Sequence, residues 1–319
     1  MNTATPLPGV FAATTSAWEQ QTWQDAADHL HTARDLVRFA MSRFAAADLF
    51  FGHGFPDALE EARYLVAWAL HLPVRQASEW LDARLTPAER SRVLHLLRLR
   101  VDSRQPAAYL TGEAWLGEFR FRVDARTIVP RSLIAEQLED GALHPWLDLD
   151  AVSRVADVCT GGGSLAILLA LAAPQAEVDA VDLSADALAV AALNVSDYGL
   201  QDRITLHQGD LLAPLSGLYQ LILSNPPYVD AAAMHALPVE YCREPELALA
   251  SGVDGLLHTR RLMAGAAALL EEDGLLVVEV GHQRGVLEMA YPDVPFTWLE
   301  SRDGGTYIFL LRRGDLPGA

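Results

Sequence analysis

The chain has 319 residues, enough for about two domains of ordinary size. Hydrophobic residues make up 51% of it, which excludes wholesale disorder and allows a substantial buried core. The formal net charge is −18, from 24 basic and 42 acidic residues, and this argues against a protein whose main task is to grip phosphate backbones. Two cysteines, Cys159 and Cys242, are too few for a disulfide framework and favour a reducing, cytoplasmic environment.

The first third of the chain is predicted to be helical. Residues 1–16 lack both a basic start and a continuous apolar core, so they predict a flexible tail rather than a signal peptide. From 17 to 115 apolar residues recur at helical spacing, which indicates a helical domain. Thr86, followed by Pro87 and Glu89, predicts the start of a helix. The longest apolar run, 165–173, is about half a membrane span, so we expect no membrane partner.

The period of the hydrophobic pattern changes after residue 115. Residues 119–123 alternate between apolar and basic side chains, Asp124 and Ala125 can turn, and 127–129 are rich in strand-forming residues. This pattern predicts a short β-hairpin, followed by a helix over 132–141. We interpret 116–145 as a hairpin and linker helix between two domains.

From about residue 146 to the end, strands and helices alternate, which predicts an α/β domain with a doubly wound, mostly parallel sheet. Such sheets bind their ligands beyond the carboxyl ends of the strands. The predicted strands cover residues 155–158, 178–181, 204–206, 218–223, 275–280, 297–299 and 307–311. The residues just after these strands are therefore the candidates for chemistry.

A glycine turn follows the first of these strands and includes Asp157, Thr160, Gly161 and Gly163. Glycines there let a ligand approach the backbone, and the next helix offers free N–H groups. Asp182 ends the second strand, 21 residues after Gly161, where a carboxylate can accept hydrogen bonds from ribose hydroxyls. Two ligands fit this pattern, a dinucleotide or S-adenosylmethionine. A turn needed only for packing, with Asp182 as a helix cap, is the alternative.

The third strand ends at Asp210 and Leu211. In a nucleoside-binding sheet this position lies near the adenine, where Asp210 could accept a hydrogen bond from the exocyclic amine. An acidic turn without a ligand is an equally good interpretation.

The sharpest signal is the loop Asn225-Pro226-Pro227-Tyr228 at the end of the fourth strand, called here the Asn-Pro-Pro-Tyr loop. Its two prolines fix the backbone and offer no N–H, so the carbonyls there are held for another donor. Asn225 adds a side-chain acceptor. A planar NH₂ group could be held by Asn225 and the Pro226 carbonyl, with Tyr228 covering its face. A rigid aromatic turn is the alternative.

These features together resemble class I S-adenosylmethionine-dependent methyltransferases that act on planar amino groups. Further motifs resemble the protein-glutamine N-methyltransferase family, namely residues 105–112, 129–131, 241–249 and 251–255. The likeness runs from about residue 30 to 312. It implies a seven-stranded sheet in a catalytic domain over 146–319 and a substrate-recognition role for the helical domain. It also implies that the cofactor is S-adenosylmethionine, bound by Asp157, Thr160, Gly161, Gly163, Asp182, Asp210, Leu211 and Asn225.

Within that family the chain looks like the branch that modifies the third protein of the large ribosomal subunit. Residues 51–54, 130–132 and 292–300 carry this likeness. The branch that modifies peptide release factors usually reads Pro-Arg-Pro where this chain has Pro130-Arg131-Ser132. The resemblance implies catalysis by Asn225, Pro226 and Tyr228, and substrate contacts from Pro130, Arg131 and the whole Asn-Pro-Pro-Tyr loop. Cys159 stands where many methyltransferases have a glycine.

We therefore expect methyl transfer to the amide nitrogen of a glutamine, with a basic ribosomal protein as the partner. Three alternatives stay open: a release factor as substrate, a non-catalytic ribosome-assembly factor, or a nucleic-acid amino methyltransferase. Arg90, Arg92, Arg98, Arg100 and Arg104 form a basic stripe on one helix, either a solvated face or a contact with ribosomal RNA in a precursor. The 10 histidines show no metal-binding spacing, so we expect no metal.

Overall fold

The chain divides into two compact units, Met1–Thr111 and Gly112–Ala319, and the computed structural model describes residues 10–317 of it. In that range, none of the helices is both long enough and apolar enough to cross a bilayer.

The first unit is helical. Leu36, Leu65 and Leu97 come from three different helices and are fully buried in one apolar cluster. The Thr86 side chain accepts a hydrogen bond from the Glu89 N–H, and the Glu89 carboxylate accepts one from the Thr86 N–H, which confirms the predicted helix start. The helices are α1 (Val10–His29), α2 (Ala33–Ala46), α3 (Ala58–Leu70), α4 (Ala77–Trp80), α5 (Pro87–Ser103) and α6 (Ala107–Thr111).

Helix α1 extends further towards the N-terminus than the sequence predicts. It begins at Val10, so residues 10–16 of the predicted flexible tail are helical. No proline or glycine follows Gly9 in this segment, so no strong helix breaker stops the helix from extending that far. The rest of the predicted tail, 1–9, lies outside the described residues.

The arginines of α5 and of its C-cap, Arg104, do not share one solvated face. Arg100 is fully buried, and its Nε donates to Glu61 of α3 at 2.6 Å. Arg104 donates to the backbone carbonyls of Ala47 and Asp48, both at 2.7 Å. The predicted solvated stripe is therefore wrong at Arg100, because the acid of a neighbouring helix draws this side chain into the core.

The second unit begins with a two-stranded hairpin, β1 (Glu113–Leu116) and β2 (Phe119–Arg122), followed by helix α7 (Ile134–Glu139). The predicted partner strand at 127–129 is wrong. Glu113 to Leu116 take that place, because the turn falls at Gly117, whose φ of 60° suits a glycine. Val129 instead donates its N–H to the buried Glu244 carboxylate at 2.8 Å.

A seven-stranded sheet forms the rest of this unit, in the order β5-β4-β3-β6-β7-β9-β8. The first five of these strands are parallel and β9 runs antiparallel to both of its neighbours, which confirms the predicted sheet. The elements are β3 (Arg154–Val158), α8 (Ser164–Ala172), β4 (Glu177–Asp182), α9 (Ala185–Asp197), β5 (Ile204–Gln208), β6 (Tyr219–Ser224), α10 (Ala231–Ala236), α11 (Leu257–Ala266), β7 (Leu270–Glu279), α12 (Arg284–Ala290), β8 (Thr297–Leu299) and β9 (Ile308–Arg312).

Both faces of the sheet are buried, as the continuous apolar strands require. In β6, Leu221 and Leu223 belong to one apolar cluster, and Ile222 between them belongs to the other. The register then aligns the strand ends: Val158 of β3 lies opposite Val181 of β4 on one side and Ser224 of β6 on the other. The residues that follow these three positions meet at one edge of the sheet.

The buried Glu61–Arg100 pair gives a stability prediction. Glu61→Ala leaves the Arg100 guanidinium buried without its carboxylate and should lower the free energy of unfolding by about 3–5 kcal/mol. Asp82→Ala is the matched control, because its partner Arg34 and Asp82 itself are both exposed, and it should change stability little. Urea titration followed by circular dichroism measures both variants. Equal midpoints for the two would contradict this account.

Candidate active site

Two neighbouring cavities lie at the carboxyl edge of the sheet. The first cavity is lined by residues from the ends of β3, β4, β5 and β6, among them Gly161, Asp182, Leu211 and Asn225. The second cavity is lined by Pro130, Arg131, Thr160 and Ser164, and again by Gly161 and Asn225. Asn225 therefore lies on the wall that the two cavities share.

The glycine turn after β3 forms the floor of both cavities. Cys159 lines both and has a φ of 64°, a left-handed conformation that is strained for a residue with a side chain. Gly163 has a φ of 81°, and a Cβ there would lie 3.1 Å from Ala191 of α9. The turn thus needs a glycine at 163, whereas at 159 the chain tolerates strain. Burial raises the pKa of the Cys159 thiol, so Cys159 is not an activated nucleophile.

Asp157 and Thr160 hold this turn in place through hydrogen bonds. The Thr160 hydroxyl donates to the fully buried Asp157 carboxylate at 2.6 Å, and the Thr160 N–H donates to the Val181 carbonyl at 2.9 Å. Burial raises the pKa of Asp157 to about 7, and the Thr160 bond opposes that shift. Asp157 lines neither cavity and Thr160 lines the second one. Their direct role here is to hold the turn.

Asp182 joins the turn to the first cavity. One carboxylate oxygen accepts the Gly161 N–H and the other accepts the Ser184 N–H, each at 2.8 Å. Burial raises the pKa of this carboxyl. The side-chain cap of α9 is Ser184, which accepts from Ala187, so Asp182 is not the helix cap. Its remaining lone pairs can accept hydrogen bonds from a ligand.

Asp210 and Leu211 both line the first cavity. Leu211 is buried, whereas Asp210 is half-exposed and pairs with Arg261 of α11 through two bonds, of 3.0 and 2.7 Å. Arg261 holds the pKa of Asp210 below its usual value. An amine that bound Asp210 would therefore share the carboxylate with Arg261.

The Asn-Pro-Pro-Tyr loop is anchored at its C-terminal half. The Tyr228 carbonyl accepts a hydrogen bond from Gln283 at 3.3 Å. Val229 pairs with the 249–251 segment, donating to Leu249 at 2.9 Å and accepting from Ser251 at 2.8 Å. Among residues 10–317, no hydrogen bond reaches the Asn225 side chain or the Pro226 carbonyl. These two groups remain as acceptors for a ligand.

Tyr228 is held by a neighbouring strand and a close glycine. Its hydroxyl donates to Glu279 at the end of β7, at 3.4 Å, and its pKa is raised by burial and by that carboxylate. A Cβ at Gly281 would lie 2.6 Å from the ring, so the absence of a side chain there makes room for Tyr228. Neither Tyr228 nor the buried Pro226 lines either of these two cavities, whereas Pro227 lines the first.

Two buried carboxylates, Glu244 and Glu279, which the sequence does not predict as site residues, hold the segment that carries Pro130 and Arg131. Arg131 pairs with Glu244 at 2.6 and 2.7 Å. Ser132 donates to Glu279 at 2.6 Å, the same carboxylate that Tyr228 contacts. Glu279 could have been found as an acid that ends an apolar strand, and Glu244 lies within the 241–249 motif. Both therefore position the walls of the site.

The site carries no metal signature: in the range 10–317, no group of three or more His, Cys, Asp or Glu could hold a metal ion. Apart from Arg126, the ionisable groups that line the first cavity are acidic or weakly basic, namely Asp182, Asp210, His258 and Cys159. Such a site suits a ligand with a positively charged part.

Two family models match the chain. Residues 36–112 match the PrmC N-terminal domain, and residues 140–252 match the methyltransferase small domain. Among solved structures, the ribosomal protein L11 methylase of Lactobacillus delbrueckii subsp. bulgaricus aligns with a TM-score of 0.41 and 22% sequence identity. That alignment covers 62% of this chain and 90% of that one.

Curated relatives match over nearly their whole length. The ribosomal protein uL3 glutamine methyltransferase of Neisseria gonorrhoeae is 53% identical over 297 residues, covering 93% of this chain and 99% of that one. The protein of the same name from Bordetella pertussis is 55% identical over 289 residues, covering 90% and 97%. With more than half of the aligned residues identical and at least 90% of each chain covered, the protein belongs to the family of the ribosomal protein uL3 glutamine methyltransferases.

Proposed function

We propose that the protein transfers a methyl group from S-adenosylmethionine to the side-chain amide nitrogen of a glutamine in ribosomal protein uL3. The observation that carries this proposal is the Asn225 side chain, an acceptor on the wall that the two cavities share, with the Pro226 carbonyl next to it in the chain. The substrate follows the names of the relatives. We assign recognition of the protein substrate to the helical unit.

The residues of the first cavity fit S-adenosylmethionine. Asp182 offers carboxylate lone pairs to ribose hydroxyls, and Val181, Leu183 and Leu211 offer apolar contacts to a base. Asp210 supplies an acceptor for an exocyclic amine. The second cavity continues from Gly161 and Asn225, so one elongated ligand can extend across both. When bound, the sulfonium supplies an electrophilic methyl group and leaves as a neutral thioether.

The residues around the loop would then prepare the nitrogen of the glutamine. An amide NH₂ has two donors, which match the Asn225 side-chain oxygen and the Pro226 carbonyl. Holding both hydrogens favours a pyramidal nitrogen, whose lone pair is freed from delocalisation for attack on the methyl carbon. The new C–N bond forms as the C–S bond breaks, and the nitrogen then releases one proton to water.

Orientation and fixed acceptors would supply most of the rate. Asn225 and Pro226 place negative dipoles where positive charge develops on the nitrogen. Glu279 is tied to Ser132 and Tyr228 and lines neither cavity, so it orients the loop rather than removing a proton. The proposal needs no strong base before methyl transfer.

The net charge of −18 favours a basic protein as the substrate over a nucleic acid. The anchored acceptors also favour catalysis over a non-catalytic assembly role, since a structural ligand would not need them. A release factor is the remaining alternative substrate, because it too would present a glutamine to the same loop.

Replacing Asp182 tests the cofactor site. Asp182→Ala should weaken S-adenosylmethionine binding by about 1.5–3 kcal/mol, because hydrogen bonds to a charged group are lost. Asp202→Ala is the control, with the same chemical change at an exposed position that lines neither cavity. Isothermal titration calorimetry measures both. An unchanged dissociation constant for Asp182→Ala would remove this residue from the cofactor site.

Replacing Asn225 tests its proposed role as a hydrogen-bond acceptor for the glutamine amide. Asn225→Ala should lower kcat by at least ~10²-fold, the scale of a lost acceptor or donor that stabilises the transition state. Cofactor affinity should stay within a few-fold. Asn225→Asp should also be poor, because it adds a charge near the sulfonium. The exposed amide Gln201, changed to Ala, is the control. Near-normal turnover of Asn225→Ala at saturating substrate would make the loop purely structural.

Substrate choice is tested with three candidate substrates in parallel: free uL3, a release factor and the assembled large subunit. We expect radiolabelled methyl transfer mainly to free uL3. An acidic enzyme meets a basic protein quickly, so the rate at low substrate concentration should fall as salt rises. Preferential labelling of the release factor would overturn the substrate while leaving the chemistry intact.

A further inference from the structure

A third cavity in the second unit opens between the β1–β2 hairpin, α7 and α8, and is called here the hairpin groove. At about 430 Å³ it is larger than either cavity of the candidate active site, and its size is typical of a binding pocket. Its apolar lining includes Leu116, Phe119, Leu133, Leu138, Leu168 and Leu171. No step of the proposed methyl transfer uses it.

The hairpin groove adjoins the candidate active site. Arg131 and Ser132 line both the groove and the second cavity. Helix α8 connects the same two places, because its first residue, Ser164, lines the second cavity and Leu171 lines the groove. The helix rises about 10 Å between these two residues. About three residues of extended chain cover that distance, so a peptide bound in the site can continue into the groove.

Apolar side chains in the groove are left partly in water. Leu171 is 42% exposed, although the other leucines of α8 are buried. Leu116, Phe119 and Leu133 are partly buried at the edge of the core. An apolar group of a partner that entered the groove would remove this surface from water, which favours binding.

The charges of the groove favour a basic partner. Three carboxylates and two arginines line it, namely Glu118, Glu136, Glu139, Arg131 and Arg302. Glu244, outside the groove, pairs with Arg131 at 2.6 Å. Arg302 pairs with Glu139 at 2.8 Å and with Asp140 at 2.6 Å. Since both positive charges are already paired, the groove as a whole is acidic.

An acidic groove with an apolar floor suits lysine and arginine side chains. Their methylene stems pack on apolar groups while their charged ends reach carboxylates. The same charge disfavours a nucleic acid. It also disfavours a second copy of this chain, whose net charge is −18.

Both walls of the groove are held in place. Asn194 of α9 accepts the Arg122 N–H of β2 at 2.7 Å and donates to the Arg122 carbonyl at 3.1 Å, which fixes the hairpin. On the other side, the Arg302 N–H donates to Glu136 of α7 at 3.1 Å. A groove with fixed walls loses little conformational freedom when a partner binds, so it is suited to docking.

We infer that the hairpin groove docks the segment of uL3 next to the target glutamine, an extended segment with basic side chains and an apolar one. This inference rests on the proposed function. The groove lies outside both cavities of the site, so its contacts contribute to substrate binding and not to the chemical step. Their loss should therefore raise KM for uL3 more than it lowers kcat.

The first test places a positive charge in the groove of the full-length enzyme. Leu171→Arg should raise KM for uL3 about tenfold, because it repels a basic segment and removes an apolar contact. The kcat at saturating uL3 and the dissociation constant of S-adenosylmethionine should stay within threefold. Leu193→Arg on α9 is the matched control, since Leu193 is 47% exposed and lines none of the three cavities. Equal KM values for the two variants would overturn the inference.

The second test reverses a charge at the rim. Glu118→Lys should raise KM for uL3 severalfold, and the effect should shrink as salt rises. Glu272→Lys is the control, because it makes the same change of net charge at an exposed position outside the three cavities. An equal effect of both variants would mean that only the overall charge matters, which would contradict docking in the groove.

The third test identifies the occupant by photo-crosslinking. The Leu171→p-benzoylphenylalanine enzyme should crosslink to uL3 within about ten residues of the methylated glutamine, a length of chain that spans about 33 Å when extended. The same group at position 193 is the control. Mass spectrometry locates the crosslink. A crosslink between two enzyme copies, one to a distant part of uL3, or none would overturn the inference. Failure of the proposed function is distinguishable, because the wild-type enzyme would then transfer no methyl group to uL3.

Discussion

The Asn-Pro-Pro-Tyr loop must satisfy its backbone with two prolines that accept hydrogen bonds but donate none. Its surroundings supply donors to its C-terminal half: Gln283 donates to the Tyr228 carbonyl, and the Ser251 N–H donates to the Val229 carbonyl that follows the loop. Among residues 10–317, no hydrogen bond reaches the Asn225 side chain or the Pro226 carbonyl, so these two acceptors stay available to a ligand. The C-terminal half of the loop is thus held by its neighbours, whereas the N-terminal half keeps its acceptors for a ligand.

Two buried carboxylates fix the 129–132 segment, which forms a wall of the second cavity. Glu244 accepts from Arg131 and the Val129 N–H, and Glu279 accepts from Ser132 and the Tyr228 hydroxyl. Burying a carboxylate is costly unless it is paired and hydrogen-bonded. Each of these carboxylates can therefore stay buried only while its hydrogen-bond partners stay in place. The two walls of the site are thus coupled through groups that line neither cavity.

The sequence predicts much of this arrangement because the site residues come directly after apolar strands and are therefore recognisable from short sequence patterns. The glycine turn, Asp182 and the Asn-Pro-Pro-Tyr loop each follow an apolar strand, and parallel register brings them together. The hairpin partner was wrong because residues 113–116 show only weak alternation. The sequence does not predict the buried position of Arg100, since its partner Glu61 lies 39 positions away in the chain. Local patterns cannot report such pairs.

The residue at position 132 determines one of the hydrogen bonds to Glu279, and this dependence can be checked in the sequences of relatives. Its hydroxyl forms the 2.6 Å bond to Glu279, and the Leu133 N–H supplies a second at 2.9 Å. A proline at 132, as in the Pro-Arg-Pro motif, has no hydroxyl, so the carboxylate would lose its shorter bond. Enzymes with proline there must therefore offer Glu279 another donor or replace it. The residues at positions 132 and 279 should consequently covary, and relatives in which only one of the two has changed should be rare.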